Sequence, residues 1–115
     1  PEFCVLSGID EYLLPNLTAG GDGVLCGLTN VVPAVFSGLL RAYREKDFDG
    51  VVAAQRKISL LMNIYDVSSS FIASVKGAVA ARGLPIGAYV KEPSGELSAT
   101  QIEKIAALLS AADRM

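Results

Sequence analysis

Two short apolar runs, each leading into a glycine, set the limits on what this chain can fold into. Phe3-Cys4-Val5-Leu6 runs into Ser7-Gly8, and Gly23-Val24-Leu25-Cys26 runs into Gly27. Each has the length and apolar density of a buried strand. Between them Leu13, Leu14 and Leu17 fall at helical spacing, and Gly20-Gly21 supplies the stop. Two apolar strands joined by a helix predict a parallel pair covered on both faces. Asp10 suits that helix's N-terminus, where its carboxylate can accept orphan backbone N–H bonds. Pro15 fits only in the first turn, where its missing N–H costs little.

Everything after the second run reads as helix. Pro33 opens one that carries Val35, Phe36, Leu39, Leu40 and Tyr43 and stops near Lys46-Asp47. A second runs from about Phe48 to Tyr65, with Val51, Ile58, Leu61 and Tyr65 on one stripe. A third covers about Ser69 to Arg82, closed by Gly83 and Pro85, and residues 84–97 form a loop. The last begins near Ser98, where both Ser98–Gln101 and Thr100–Glu103 have capping-box spacing. Ile102, Ile105, Leu109 and Ala112 make its apolar stripe. Two parallel strands do not make a sheet that stands alone. The chain therefore reads as the end of a larger α/β protein, and its start at Pro1 suggests a truncated, processed or tag-trimmed chain.

Composition points the same way. Of 115 residues, 51% are hydrophobic and 19% charged, with a mean hydropathy of +0.42. A small domain needs a more charged surface, so this chain is expected to bury apolar area against more of its own protein or a partner. No run approaches the roughly 18 apolar residues of a membrane span. There is no signal peptide, and the cytoplasm is the expected location. Acidic and basic residues interleave at a net charge of −2, which excludes a nucleic-acid stripe. With no His and two isolated cysteines, no ordinary zinc site can form, and Cys4 and Cys26 read as buried reduced thiols. Asn16-Leu17-Thr18 matches a glycosylation acceptor by chance.

The glycines between the runs could suggest a phosphate cradle. Gly21 and Gly23 fit two positions of a dinucleotide fingerprint, but Cys26 stands at the third and no P-loop lysine follows. Gly20, Gly21 and Gly23 are better read as the turn from helix into strand. Gly8 and Gly27 differ, because each follows a strand at its C-terminal end, the ligand edge of α/β folds. Asp10 and Glu11 share that edge. Asp10 either caps its helix or meets a ligand hydroxyl.

The ordered set Gly8-x-Asp10, Gly20, Gly23, Asn30-x-x-Pro33, Lys46-Asp47-Phe48, Lys76 and Gly83-Leu84-Pro85 resembles the C-terminal part of the dihydrodipicolinate synthase and N-acetylneuraminate lyase family. The resemblance implies an α/β protein, the C-terminal portion of a (β/α)8 TIM barrel followed by a helical extension. Phe3–Leu6 would be strand seven, Val24–Cys26 strand eight and the Pro33 helix helix eight. Residues 1–46 would belong to the barrel and 47–115 to the extension, so the isolated chain would be mostly helical.

The implied chemistry is class I aldol or lyase chemistry on pyruvate, through a Schiff base on a strand-six lysine assisted by a strand-five tyrosine. Both would lie upstream of Pro1. Lys46, Lys57, Lys76, Lys91 and Lys104 all fall away from strand ends, so no catalytic residue is assigned within the chain, and Tyr12, Tyr43, Tyr65 and Tyr89 read as packing residues. The positions that contact sugar hydroxyls in the sialic acid lyases match Gly8, Asp10, Glu11 and Gly27. Gly27 stands where those lyases have Ser, and Ile9 where a lysine-biosynthesis enzyme has a second acidic residue. The second of these departures favours a hydroxylated 2-keto-3-deoxy acid as substrate. No cofactor or metal is implied. The expected partners are the keto-acid substrate, the rest of the barrel and further copies of the chain, as a tetramer in the parent. The other reading is a non-catalytic helical interaction or oligomerisation module.

Overall fold

The computed structural model describes residues 3–87 and 89–115, so Ala88, within the loop 84–97, lies outside the described residues. The chain divides into two compact units, Pro1–Ser59 and Leu60–Met115.

In the first unit, β1 (Leu6–Ser7) and β2 (Gly23–Val24) pair in parallel, with Leu6 opposite Gly23 and Ser7 opposite Val24. A 3-10 turn (Asp10–Tyr12) and helix α1 (Leu13–Thr18) join them. Pro15 is the third residue of α1, within the first turn as its missing N–H requires. Gly21 N–H donates to Asn16 O and Gly20 N–H to Leu17 O, and Gly20 takes φ +90°. This is a Schellman stop, and it needs the left-handed conformation that glycine adopts without a Cβ clash.

The strands are shorter than the apolar runs. Val5 is bonded, but not to a strand ladder: its N–H donates to Asp22 Oδ2 at 2.7 Å and its carbonyl accepts from Asp22 N–H and Asn16 Nδ2. The expected burial of the runs also fails. Phe3 and Leu25 are 74% exposed, and Val5 and Leu6 are about half exposed. No further strand of the described residues covers them. Cys4 is exposed and Cys26 half-buried, both as free thiols, so neither is the buried thiol expected.

A 3-10 turn (Leu28–Asn30) leads to α2 (Pro33–Glu45), with Pro33 in its first turn. Phe36, Leu39 and Ala42 are its buried face. Lys46 closes α2 in the left-handed region at φ 60°, and Asp47 starts α3 (Phe48–Leu61) by accepting from Gly50 N–H at 3.0 Å. The helix predicted to reach Tyr65 ends at Leu61.

In the second unit a 3-10 stretch (Met62–Val67), α4 (Phe71–Ala81) and α5 (Ala99–Asp113) pack together around Ile64, Ser74, Ala78, Ile105 and Leu109. Ser70 caps α4 by accepting from Ala73 N–H. Of the two capping-box candidates, Ser98–Gln101 forms with both bonds in place, and Gln101 Nε2 also donates to Val67 O at 2.9 Å. The α5 stripe holds at Ile105, Leu109 and Ala112 but not at Ile102, which is half exposed. Tyr12 and Tyr89 are likewise exposed instead of packed. No single helix among the described residues is long and apolar enough to cross a membrane.

Candidate functional site

The carboxyl ends of β1 and β2 point the same way, so the loops that follow them, residues 8–12 and 25–30, form one edge. Ser7 Oγ accepts from Ile9 N–H at 3.2 Å and folds the first loop back on itself. In the second, the Thr29 hydroxyl donates to Cys26 O at 2.6 Å, and Asn30 Nδ2 donates to Cys26 O and Gly27 O. Behind the edge, Asn16 Nδ2 donates to Val5 O at 3.0 Å and to Gly23 O at 2.8 Å, joining the chain just before β1 to β2.

Gly8, Asp10, Glu11 and Gly27 all lie on this edge, in three different settings. Gly8 is exposed, and a Cβ built there would meet nothing within 4 Å, so the described residues do not demand glycine at that place. Glu11 and Gly27 are half-buried. Asp10 is buried at 4% exposure, and its Oδ1 accepts from Leu28 N–H at 2.8 Å. The expectation that Asp10 caps its own helix is corrected: Ile9 is the cap residue of the 3-10 turn and no side chain bonds there. Asp10 instead satisfies the first N–H of the turn after β2, whose own cap, Gly27, has no side chain to offer.

Cys26 completes the edge, and nothing in its residue type singled it out beforehand. Burial pushes its thiol up to about 11, and the Asp10 carboxylate beside it adds to the rise, while Thr29 pulls the other way. At pH 8 the thiolate, the reactive form, is a small minority. Iodoacetamide should therefore modify Cys4 well before Cys26. Asp10→Asn removes the neighbouring negative charge, lowers the thiol's pKa and should speed Cys26 alkylation at pH 8. Peptide-resolved mass spectrometry over time would read both rates, and an unchanged Cys26 rate would remove Asp10 as a cause.

Lys46, Lys57, Lys76 and Lys104 lie in or at the ends of α2, α3, α4 and α5, and Lys91 in the late loop, away from the strand ends. Lys76 Nζ donates to Tyr89 O. Among the described residues no group of three His, Cys, Asp or Glu side chains could hold a metal ion. A concavity of about 630 Å³ in this unit is lined by Leu14, Tyr43, Phe48 and Val51, not by the strand-end loops.

A parallel pair with its functional loops gathered at the strands' carboxyl ends is the arrangement of α/β barrel and open-sheet enzymes. Residues 1–112 match the Dihydrodipicolinate synthetase family, and the chain belongs to it. It is 36% identical over 92 residues to an uncharacterized DapA-like lyase of Pyrococcus horikoshii, covering 80% of this chain and 32% of that protein. It is 32% identical over 111 residues to the probable 2-dehydro-3-deoxy-D-pentonate aldolase YjhH of Escherichia coli, covering 96% of this chain and 37% of that protein. It superposes on YagE, an Escherichia coli K12 prophage protein of the dihydrodipicolinic acid synthase family solved in complex with pyruvate. That match has a TM-score of 0.91 and 27% identity, over 98% of this chain and 38% of the other. The chain thus spans about a third of the length of the curated relatives it matches.

Proposed function

We propose that this chain is the C-terminal portion of a Schiff-base-forming lyase or aldolase that acts on pyruvate and an aldehyde, or on a 2-keto-3-deoxy acid. In this reading β1 and β2 are the seventh and eighth strands of a (β/α)8 barrel. Residues 47–115 are its helical extension, and the catalytic lysine and tyrosine lie on strands upstream of Pro1. The lysine amine adds to the keto carbon, water leaves, and the imine draws electrons from the carbon–carbon bond being made or broken. Gly8, Asp10, Glu11 and Gly27 form the edge that holds the substrate beyond its pyruvate carbons. The likeness to YjhH, named for a deoxy sugar acid, supports a hydroxylated substrate over a simple one. The enzyme is a cytoplasmic homo-oligomer.

The observation that carries the reading is the parallel pair itself. Phe3, Val5, Leu6 and Leu25, in and beside its strands, stand exposed, and a barrel's remaining strands and helices would cover them. The test is pyruvate with borohydride, followed by intact mass. The chain by itself should keep its mass, and the full-length protein encoded by the parent reading frame should gain one reduced pyruvate at a single upstream lysine. An adduct on the isolated chain would overturn the assignment of chemistry upstream. No adduct on the full-length protein would leave the helical interaction module standing.

A further inference from the structure

Each strand-end loop holds its own shape, and a single buried side chain joins the two. The bonds of the Ser7 hydroxyl stay within the first loop, and the side-chain bonds of Thr29 and Asn30 stay within the second; the Leu25 N–H donating to Ser7 O only continues the strand pairing. Asp10 reaches across: its carboxylate accepts from Leu28 N–H, 18 residues along the chain. Both ends of that bond are buried, Asp10 at 4% exposure and Leu28 at 0%. From the other side, Gln55 Nε2 on α3 donates to Glu11 O at 3.4 Å.

We propose that Asp10 is a positioning residue, acting on the substrate through the Leu28 N–H by fixing Gly27 relative to Glu11. The proposal rests on the aldolase reading above and deepens it. Three features carry it. The 3-10 turn at Leu28–Asn30 begins on a glycine, so its first N–H has no local side-chain acceptor. That N–H is fully buried, where an unpaired donor is costly. The acceptor comes from the one residue of the first loop that is withdrawn from solvent, while its neighbour Glu11 stays partly accessible. Losing the acceptor frees the start of the turn and lets Gly27 drift from Glu11. Losing only the charge leaves an amide oxygen that can still accept.

Two measurements test this. In the chain as it stands, hydrogen exchange at the Leu28 amide should quicken about tenfold to a hundredfold in Asp10→Ala, and Asp10→Asn should restore most of the protection. In the full-length enzyme, pyruvate and glyceraldehyde serve as substrates. The KM for glyceraldehyde should rise on the order of tenfold or more in Asp10→Ala and fall most of the way back in Asp10→Asn. If Asp10→Asn loses as much KM as Asp10→Ala, the carboxylate's charge meets the substrate directly and the proposal falls. An unchanged Leu28 exchange rate in Asp10→Ala defeats it too. Absence of any pyruvate adduct on the unsubstituted full-length enzyme is a separate failure, that of the aldolase reading, and the exchange measurement then decides the brace alone.

Discussion

Ile105→Ala will destabilise the second unit by about 2–5 kcal/mol, while Ile102→Ala, three residues away on the same helix, will cost about 1 kcal/mol or less. Ile105 is fully buried, so truncation removes its transfer free energy and leaves a void. Ile102 is 48% exposed, so about half of what its side chain loses was already in water. Against a typical domain stability of about 5–15 kcal/mol, the first change removes a large share. Urea unfolding followed by far-UV circular dichroism separates the two, provided the slope with denaturant stays constant. Similar losses for both variants would mean that Ile102 packs against something in solution.

The chain will self-associate, and the strand pair will be the cause. Phe3, Val5, Leu6 and Leu25 range from 49% to 74% exposed in and beside the two paired strands. Fully burying one such side chain is worth about 1.5–3 kcal/mol, so several of them uncovered around one strand pair are a strong driver of association. Light scattering should give a mass above the 12.0 kDa of one chain. Leu25→Lys should move it towards a single chain with little change in melting temperature, because Leu25 is 74% exposed and contributes little buried area now. A clean 12.0 kDa species that binds no hydrophobic dye would overturn this.

The helices were legible because their signals are local. Ser98 and Gln101 carry their cap within four residues, Gly20 and Gly83 mark stops that φ values of +90° and +88° require, and Pro33 sits in its opening turn. The strand pair was legible in kind, parallel with a helix between, but not in extent. Val5 spends its backbone groups on Asp22 and Asn16, a pairing that no apolar pattern announces. Burial of the runs was misread for a related reason: apolar density reports what a segment needs, not whether its cover lies in the same chain. At the edge, Gly8, Asp10, Glu11 and Gly27 were found from strand-end position and resemblance. The setting of Asp10 was not, because its partner is a backbone N–H 18 residues away, invisible to residue type. Ile102 shows the limit of periodicity: it lies on the helical stripe, yet the neighbouring elements reach Ile105 and Leu109 and stop short of it.

The amide of Asn16 also concentrates two ties of the strand pair in one group. Its nitrogen donates to two carbonyls at once, those of Val5 and Gly23. Slow hydrolysis of that amide to a carboxylate would preserve the side chain's outline and reverse its polarity, setting an acceptor oxygen against two others. Two ties would become two repulsions at a single point. Aged protein would then loosen first at the strand pair, with its helices still intact, and an increase of one negative charge on an ion-exchange column would herald the change.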